Sequence, residues 1–409
     1  MESRKQMSSS LVWVVAATVA AFAAIILLIK KATHISVSLI VGGVILTLLS
    51  YPPSLIEALF QTVTDLNTLY LMVMSFTVAM FAEGYRLSGF ITSLGEGIAA
   101  YLKSPVLAII TVPAIIGLMP VAGGALMSAP LVESVGLGLG LDSSMMIYAN
   151  VWFRHTIFLS YPISQVLITT SALSGFTVES IAIKQLPIIA IMVIVGYLIL
   201  RRGIKSSTKT VFKGPQKPLR IAGTPLLIAL GASLLLRSLM GKFGMPLGVA
   251  LGIGILIYLS DLTKSNFKQM LSSWRIWGIT IAGFSIIFLQ KAMVSSGASE
   301  AISQIISSSG MHPFLLELSI PGVIAALTGS PLSGIVMTLP IIAGIHELQL
   351  NDVSMIYVSS FLFYIASPAH LCLAYTAEYF GKSIGSSYRY LIPAGAITLV
   401  LAAFYLILT

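Results

Sequence analysis

Arginine and histidine stand side by side at positions 154 and 155, within the largely apolar and aromatic stretch YANVWFRHTIFLSYPISQ (148–165). If the helix that carries them starts near Ser143, Arg154 lies about 17 Å along it at 1.5 Å per residue. In a bilayer with a hydrocarbon core of about 30 Å, that is close to mid-depth. A guanidinium there costs at least about 2.5–3.5 kcal/mol on insertion scales, so it faces a cavity or a partner. Its planar fork suits the paired oxygens of a carboxylate or phosphate. His155 can donate to an anion or carry a proton. It points about 100° around the helix from Arg154, so a purely packed role is open to it as well. For Arg154 the alternative is a structural ion pair with Glu133 or Glu83.

That chemistry presupposes a membrane, and the composition supplies one. Charged residues make up 9% of the 409-residue chain, against about 25% in ordinary soluble domains. Hydrophobic residues reach 57%, and apolar runs recur from LVWVVAATVAAFAAIILLI (11–29) to YLIPAGAITLVLAAFYLILT (390–409). Each run is long enough for a helix to cross a bilayer. The first run is too long for the apolar core of a signal peptide, and Lys30 and Lys31 follow it in place of a small-residue cleavage site. The net charge of +9 fits basic residues gathered in cytoplasmic loops better than a nucleic-acid surface. A single cysteine, Cys372, excludes an internal disulfide framework, and no His, Cys, Asp or Glu cluster has metal-ligand spacing along the chain. The expected class is an all-α polytopic membrane protein.

The segment GLMPVAGGALMSAP (117–130) places two prolines and two adjacent glycines inside such a span. Backbone groups freed from helix bonding in a bilayer cost several kcal/mol each unless protein, water or ligand satisfies them. A counterpart, AALTGSPLSGIVMTLP, lies at 325–340, and a second pair of interruptions follows at LSYP (159–162) and IASP (365–368). Paired breaks at corresponding positions are a mark of a transporter binding site near the midplane. Helix ends at each break offer N–H groups to an anion and carbonyls to a cation. The substrate-binding candidates are Pro120, Ala122, Gly123, Gly124, Ser128, Asn150, Arg154, His155 and Ser160 in the first part of the chain. In the second they are Thr328, Gly329, Ser330, Ser333, Ser367 and His370. Ser164 and Glu133 are candidates for a coupling ion, Na+ or H+. Serines and threonines in such helices also commonly bond their own backbone.

Long-range self-similarity explains why the breaks are paired. Ser50 and Ser260 end similar runs 210 residues apart. Gly89 pairs with Gly297, Pro105 with Pro313 and Pro113 with Pro321, each at a spacing of 208. The chain therefore reads as two homologous halves, 11–201 and 222–409, joined by a basic linker at 202–221. Each half has two spans (11–30 and 35–52; 222–240 and 246–262) and a third (68–85; 276–292). A short arm (91–103; 299–309) precedes the Pro/Gly-interrupted segment (105–136; 313–345), an interrupted span (143–173; 352–380) and a last span (185–200; 388–408). If the Pro/Gly segment is a re-entrant hairpin, each half crosses five times and the halves are inverted. A cytoplasmic linker then places most Lys and Arg residues inside and both termini outside, Arg4 and Lys5 being exceptions to the positive-inside rule.

This plan resembles the ion-transporter superfamily of secondary carriers, which includes gluconate permeases and divalent-anion/sodium symporters. MPVAGGALMSAPLVE (119–133) is more closely similar to an uncharacterised prokaryotic membrane family, domain of unknown function 401. The resemblance implies an elevator carrier, usually a homodimer, in the cytoplasmic membrane of a prokaryote. The hairpins and broken helices would move against a scaffold of the first two spans of each half. The Ser-Asn-Thr triplets of the dicarboxylate symporters are replaced here by VAGG and TGSP at the tips and by SYP and ASP at the breaks.

The function expected from these features is secondary active transport of a small organic anion, a carboxylate or sugar acid. The closest rival is a cation/proton antiporter. No GxxxxGK[ST] phosphate loop supports direct ATP drive, and no HExxH or GxSxG signature supports an intramembrane enzyme. No cofactor and no nucleic acid are expected; the partners are the anion and the lipid bilayer.

Overall fold

Long apolar runs in lipid must satisfy their backbone internally, and helices do so. A computed structural model describes residues 2–30, 34–102, 104–118, 124–205, 217–298, 300–301, 304, 312–368 and 370–409, and among them the regular structure is entirely helical. The first part of the chain forms α1 (Glu2–Lys30), α2 (Ile35–Ser50), α3 (Pro53–Thr64), α4 (Leu66–Leu87) and α5 (Phe90–Leu102). It continues through α6 (Pro105–Gly117), α7 (Gly124–Gly138), α8 (Ser143–Thr156), α9 (Gln165–Ser174) and α10 (Val178–Arg201). The second part holds α11 (Leu219–Met240), α12 (Gly244–Leu259), α13 (Lys264–Ser272), α14 (Trp274–Ser295) and α15 (Pro313–Thr328). It ends with α16 (Pro331–Ala343), α17 (Leu350–Ile365), α18 (Leu371–Tyr379) and α19 (Gly385–Leu408).

By length and composition, five helical stretches among the described residues can cross a membrane: Leu66–Leu87, Val178–Arg201, Leu219–Leu259, Lys264–Ser295 and Gly385–Leu408. The third is two helices folded back on each other: Gly244, Gly248 and Gly252 of α12 face the Leu236, Ser233 and Ala229 turns of α11. A Cβ at Gly248 would collide with the Ser233 backbone. Lipid provides no hydrophobic drive between helices, so such close approach through small residues is what holds the pair. Outward-facing Leu227, Leu239, Tyr258, Phe404 and Leu408 are each at least 61% exposed, as side chains facing lipid would be.

Local chemistry marks the helix boundaries. Pro105 opens α6 behind Ser104, whose hydroxyl accepts from the Leu107 N–H. Pro313 opens α15 behind His312, whose Nδ1 accepts from the Phe314 N–H. Proline lacks the amide that would be orphaned there. After α4 and α14, Gly89 and Gly297 both take positive φ, 71° and 74°, a region L side chains avoid. These are the same pairs that the sequence sets 208 apart. The 299–309 arm falls largely outside the described residues.

Two short helices are absent from the sequence-predicted elements, α3 and α13. Both are amphipathic and too short to cross a bilayer. Ile56, Phe60 and Val63 line the outer face of α3 at 69–75% exposure. Their i, i+4, i+7 spacing was legible as a helix, but it falls below any span length.

Packing gathers the helices into two groups that also touch each other, α4 on α9, α14 on α16 and α1 on α15. In one, α14 packs on α2, α3 and α4, α12 joins α11 to α4, and α1 lies on α2. In the other, α6 packs on α7 and α8, α15 packs on α16 and α17, and α19 binds α8, α10 and α17. The short helix α5 touches both, through α6 and α11. Within the second group the two parts of the chain interlock: α18 rests on α7 and α8, while α9 rests on α16.

Candidate functional site at the paired helix breaks

The helix carrying Arg154 begins where the sequence places it. Asp142 caps α8 by accepting from the Met145 N–H at 2.8 Å. Arg154 then falls in the last turn, before the chain leaves α-helical geometry at Ile157–Leu159 and resumes it at Gln165. The second interruption separates α17, which ends at Ile365, from α18, which starts at Leu371. Both breaks fall where LSYP and IASP predicted them.

Arg154 is 2% exposed. Its backbone and Cγ lie directly against Gly117, the last residue of α6, where a Cβ would overlap the Arg154 carbonyl oxygen. The end of α6 is therefore packed directly on the turn of α8 that carries the arginine. Pro120, Ala122 and Gly123 lie outside the described residues, and Gly124 opens α7.

The second break comes up to the same place. The His155 and His370 rings meet edge to face with centroids 4.7 Å apart, and Tyr364 lies over His370 at 4.0 Å. Arg154 is close enough for its charge to act on His155, His370 and Tyr364. His155 Nδ1 donates to the Val151 carbonyl at 2.6 Å, and His370 Nδ1 donates to the Ile365 carbonyl at 3.1 Å. A carbonyl only accepts, so both rings carry their proton on Nδ1 and present a lone pair at Nε2. Among the described residues, His370 Nε2 is buried with no hydrogen-bond partner. The Cys372 sulfur joins them: one ligand atom from each of His155, His370 and Cys372 lies within 4.8 Å of the others. The lone cysteine and scattered histidines show no metal-ligand spacing in sequence. The helix breaks bring together residues more than 200 positions apart.

Around this centre the other candidates hold the elements in place. Asn150, fully buried, donates to the Ala125 carbonyl and to Thr376 Oγ1, both at 3.0 Å, and accepts from Ser128 Oγ at 2.6 Å. It ties α7, α8 and α18 together. Replacing Asn150 by alanine is expected to lower stability by about 1–2 kcal/mol, the range for a buried polar link between membrane helices. Detergent thermal melts of the variant beside Ser128→Ala, which leaves the Asn150–Thr376 bond intact, measure this.

Ser164 begins α9, and its hydroxyl meets Tyr357 of α17, which donates to the Phe158 carbonyl at 2.9 Å. Ser160 closes the turn after Leu159 and is half-buried. Ser367 Oγ donates to the Ala326 carbonyl, linking the second break to α15. Thr328 Oγ1 donates to Ile324 within its helix at 2.8 Å. Gly329 takes φ 65° to end α15. Ser330 precedes α16 without a side-chain cap, and Ser333 Oγ is buried with no hydrogen-bond partner among the described residues.

The acids weighed as partners for Arg154 have other roles. Glu83 accepts from Arg86 Nε at 2.8 Å, and Glu133, partly exposed, accepts the Tyr379 hydroxyl at 2.7 Å. Thr376, Tyr364 and Cys372 belong to the site although sequence reasoning did not select them. The only hint was that Tyr364 and Cys372 flank His370 in YIASPAHLC.

The described residues thus form an all-helical chain whose interrupted helices meet near a buried arginine. Among solved structures it is similar to the YdaH transporter of Alcanivorax borkumensis, with a TM-score of 0.64 over 87% of each chain. Sequence identity is 12%, so the likeness is one of fold. No curated protein matches the sequence. The chain belongs to the family described as Protein of unknown function (DUF401), whose profile matches residues 9–408.

Proposed function

We propose that the protein is a secondary active transporter of a small organic anion, a carboxylate or sugar acid, with Arg154 as the anion-binding group. The observation that carries this reading is a buried arginine, 2% exposed, packed against the last residue of α6 and close to both helix breaks. A buried cation at interrupted helices is suited to an anion whose other oxygens take N–H groups at helix starts. The buried Ser333 hydroxyl and the starts of α16 and α18 are further donors in the same group of helices.

The alternating-access reading extends this. The segments α6–α7 and α15–α16 are consecutive packed helices of 13–16 residues, at 1.5 Å per residue roughly 20–24 Å long and shorter than a bilayer core. We read them as re-entrant hairpins of two inverted repeats, 11–201 and 222–409. The group that contains them would move as an elevator against the α1–α4 and α11–α14 group. Sodium or proton coupling, a homodimer and a cytoplasmic linker at 202–221 belong to the same proposal.

Thermal-shift measurements on purified protein against carboxylates, sugar acids and phosphates, with and without Na+ and at two pH values, test it. Binding to the folded form raises apparent stability by mass action. An anion that stabilises wild type but not Arg154→Gln supports the anion carrier. A response to Na+ or pH alone, unaffected by any anion, overturns it in favour of a cation/proton antiporter.

A further inference from the structure

Away from the helix breaks, a cavity of about 320 Å³ opens between the start of α15, the turn after α16 and the start of α17. His312, Glu317, His346 and Asp352 line it. Glu317, one turn into α15, is 2% exposed. Among the described residues its carboxylate pairs only at long range with His346, Oε1 lying 4.0 Å from Nε2. His346 Nε2 is also 2.9 Å from Asp352 Oδ2. One ligand atom from each of Glu317, His346 and Asp352 lies within 4.8 Å of the other two.

Two carboxylates and one imidazole converging in this way lack only a cation. A buried carboxylate without a hydrogen bond or counterion is costly, and a second carboxylate nearby raises that cost. Asp352 is held in place because its Oδ2 accepts the Gln349 N–H at 2.7 Å. A tetrahedral zinc ion with bonds of about 2.0–2.2 Å holds its ligand atoms about 3.3–3.5 Å apart. The observed 2.9 and 4.0 Å bracket that spacing, so small side-chain rotations suffice. Nitrogen with two carboxylate oxygens suits a first-row divalent ion of intermediate softness, Zn2+ above all, rather than Mg2+ or Ca2+. His312 has Nδ1 committed as an acceptor to the Phe314 N–H, so its Nε2 carries the proton and is no ligand in this arrangement. The fourth position therefore falls to water in the open cavity.

We infer that Glu317, His346 and Asp352 form a divalent transition-metal site that clamps the base of the α15–α16 pair to the start of α17. The ion joins three elements of the helix group that contains the breaks, so occupancy stiffens that group without touching Arg154. Protons compete for all three ligands, so affinity falls at acid pH.

The test uses tag-free, chelator-treated protein in detergent, titrated with ZnCl2 and followed by thermal shift and by isothermal calorimetry. One ion per chain is expected to bind and raise the melting temperature. Glu317→Gln and His346→Gln should each weaken binding at least tenfold, while Cys372→Ser, which removes the thiol at the helix breaks, leaves it unchanged. Wild type that takes up no Zn2+, or Zn2+ binding abolished by Cys372→Ser and retained by Glu317→Gln, overturns the inference. Neither outcome depends on whether an organic anion is transported. Glu317→Gln also keeps the side-chain shape, so an unchanged melting temperature without metal separates lost ligation from misfolding.

Discussion

Arg154→Lys is expected to lose anion affinity almost as completely as Arg154→Gln, by about 30-fold or more. The site retains its positive charge in the lysine variant, so a simple point-charge attraction would survive. What disappears is the planar fork that meets two oxygens at once. Removing one partner of a buried, hydrogen-bonded charge pair costs about 2–5 kcal/mol, and each 1.4 kcal/mol is about tenfold in affinity. Because Arg154 is 2% exposed, no bulk water is at hand to replace the lost donors. Titration of the stabilising anion against both variants measures the effect. A lysine variant within threefold of wild type would show that charge alone suffices and would remove the bidentate geometry from the proposal.

The second large effect is expected at a residue that carries no chemistry. Gly117→Ala places a methyl group on the Arg154 carbonyl oxygen, with the Arg154 Cγ also in contact. Neither partner is the loose end of a flexible side chain: the oxygen is helical backbone of α8. The clash therefore moves α6 away from α8 and displaces the turn that carries the arginine. Overpacking by one carbon costs about 1–3 kcal/mol. The loss of ligand response should exceed the loss of stability, since positioning errors of about 1 Å cost on the order of 100-fold in a built site. Gly231→Ala on α11, where an added Cβ meets nothing within 4 Å, is the control. Equal behaviour of the two variants in melting and anion titration would disprove the claim that α6 and α8 are in essential backbone contact.

Much of the architecture was legible before any coordinates. Runs of apolar residues in lipid have little choice but helix, so the spans follow from hydropathy. The breaks at 157–164 and 366–370 follow from proline and small polar residues, whose backbone effects are local. Gly89 and Gly297 were matched by spacing and share positive φ, because a backbone requirement acts on its own position. Even the place of Arg154 in the last turn of α8 came from counting along one helix whose start Asp142 sets. The short helices α3 and α13 escaped because each is shorter than a span, and an amphipathic period over nine to twelve residues is a weak signal.

Other features were decided only by the tertiary structure. Nothing local relates Asn150 to Thr376, His155 to His370, or Glu317 to Asp352. These pairs form because α18 packs on α7 and α8 and because α16 returns the chain to the base of α15. The packing of α18 on α7 also gives Glu133 the Tyr379 hydroxyl, whereas Glu83 meets Arg86 locally, one turn on within α4. Residue type and spacing determine where a chain in lipid must be helical and where it must break. Which buried polar groups then meet depends on how the broken ends are brought together, and that is set by shape complementarity between helices far apart in sequence.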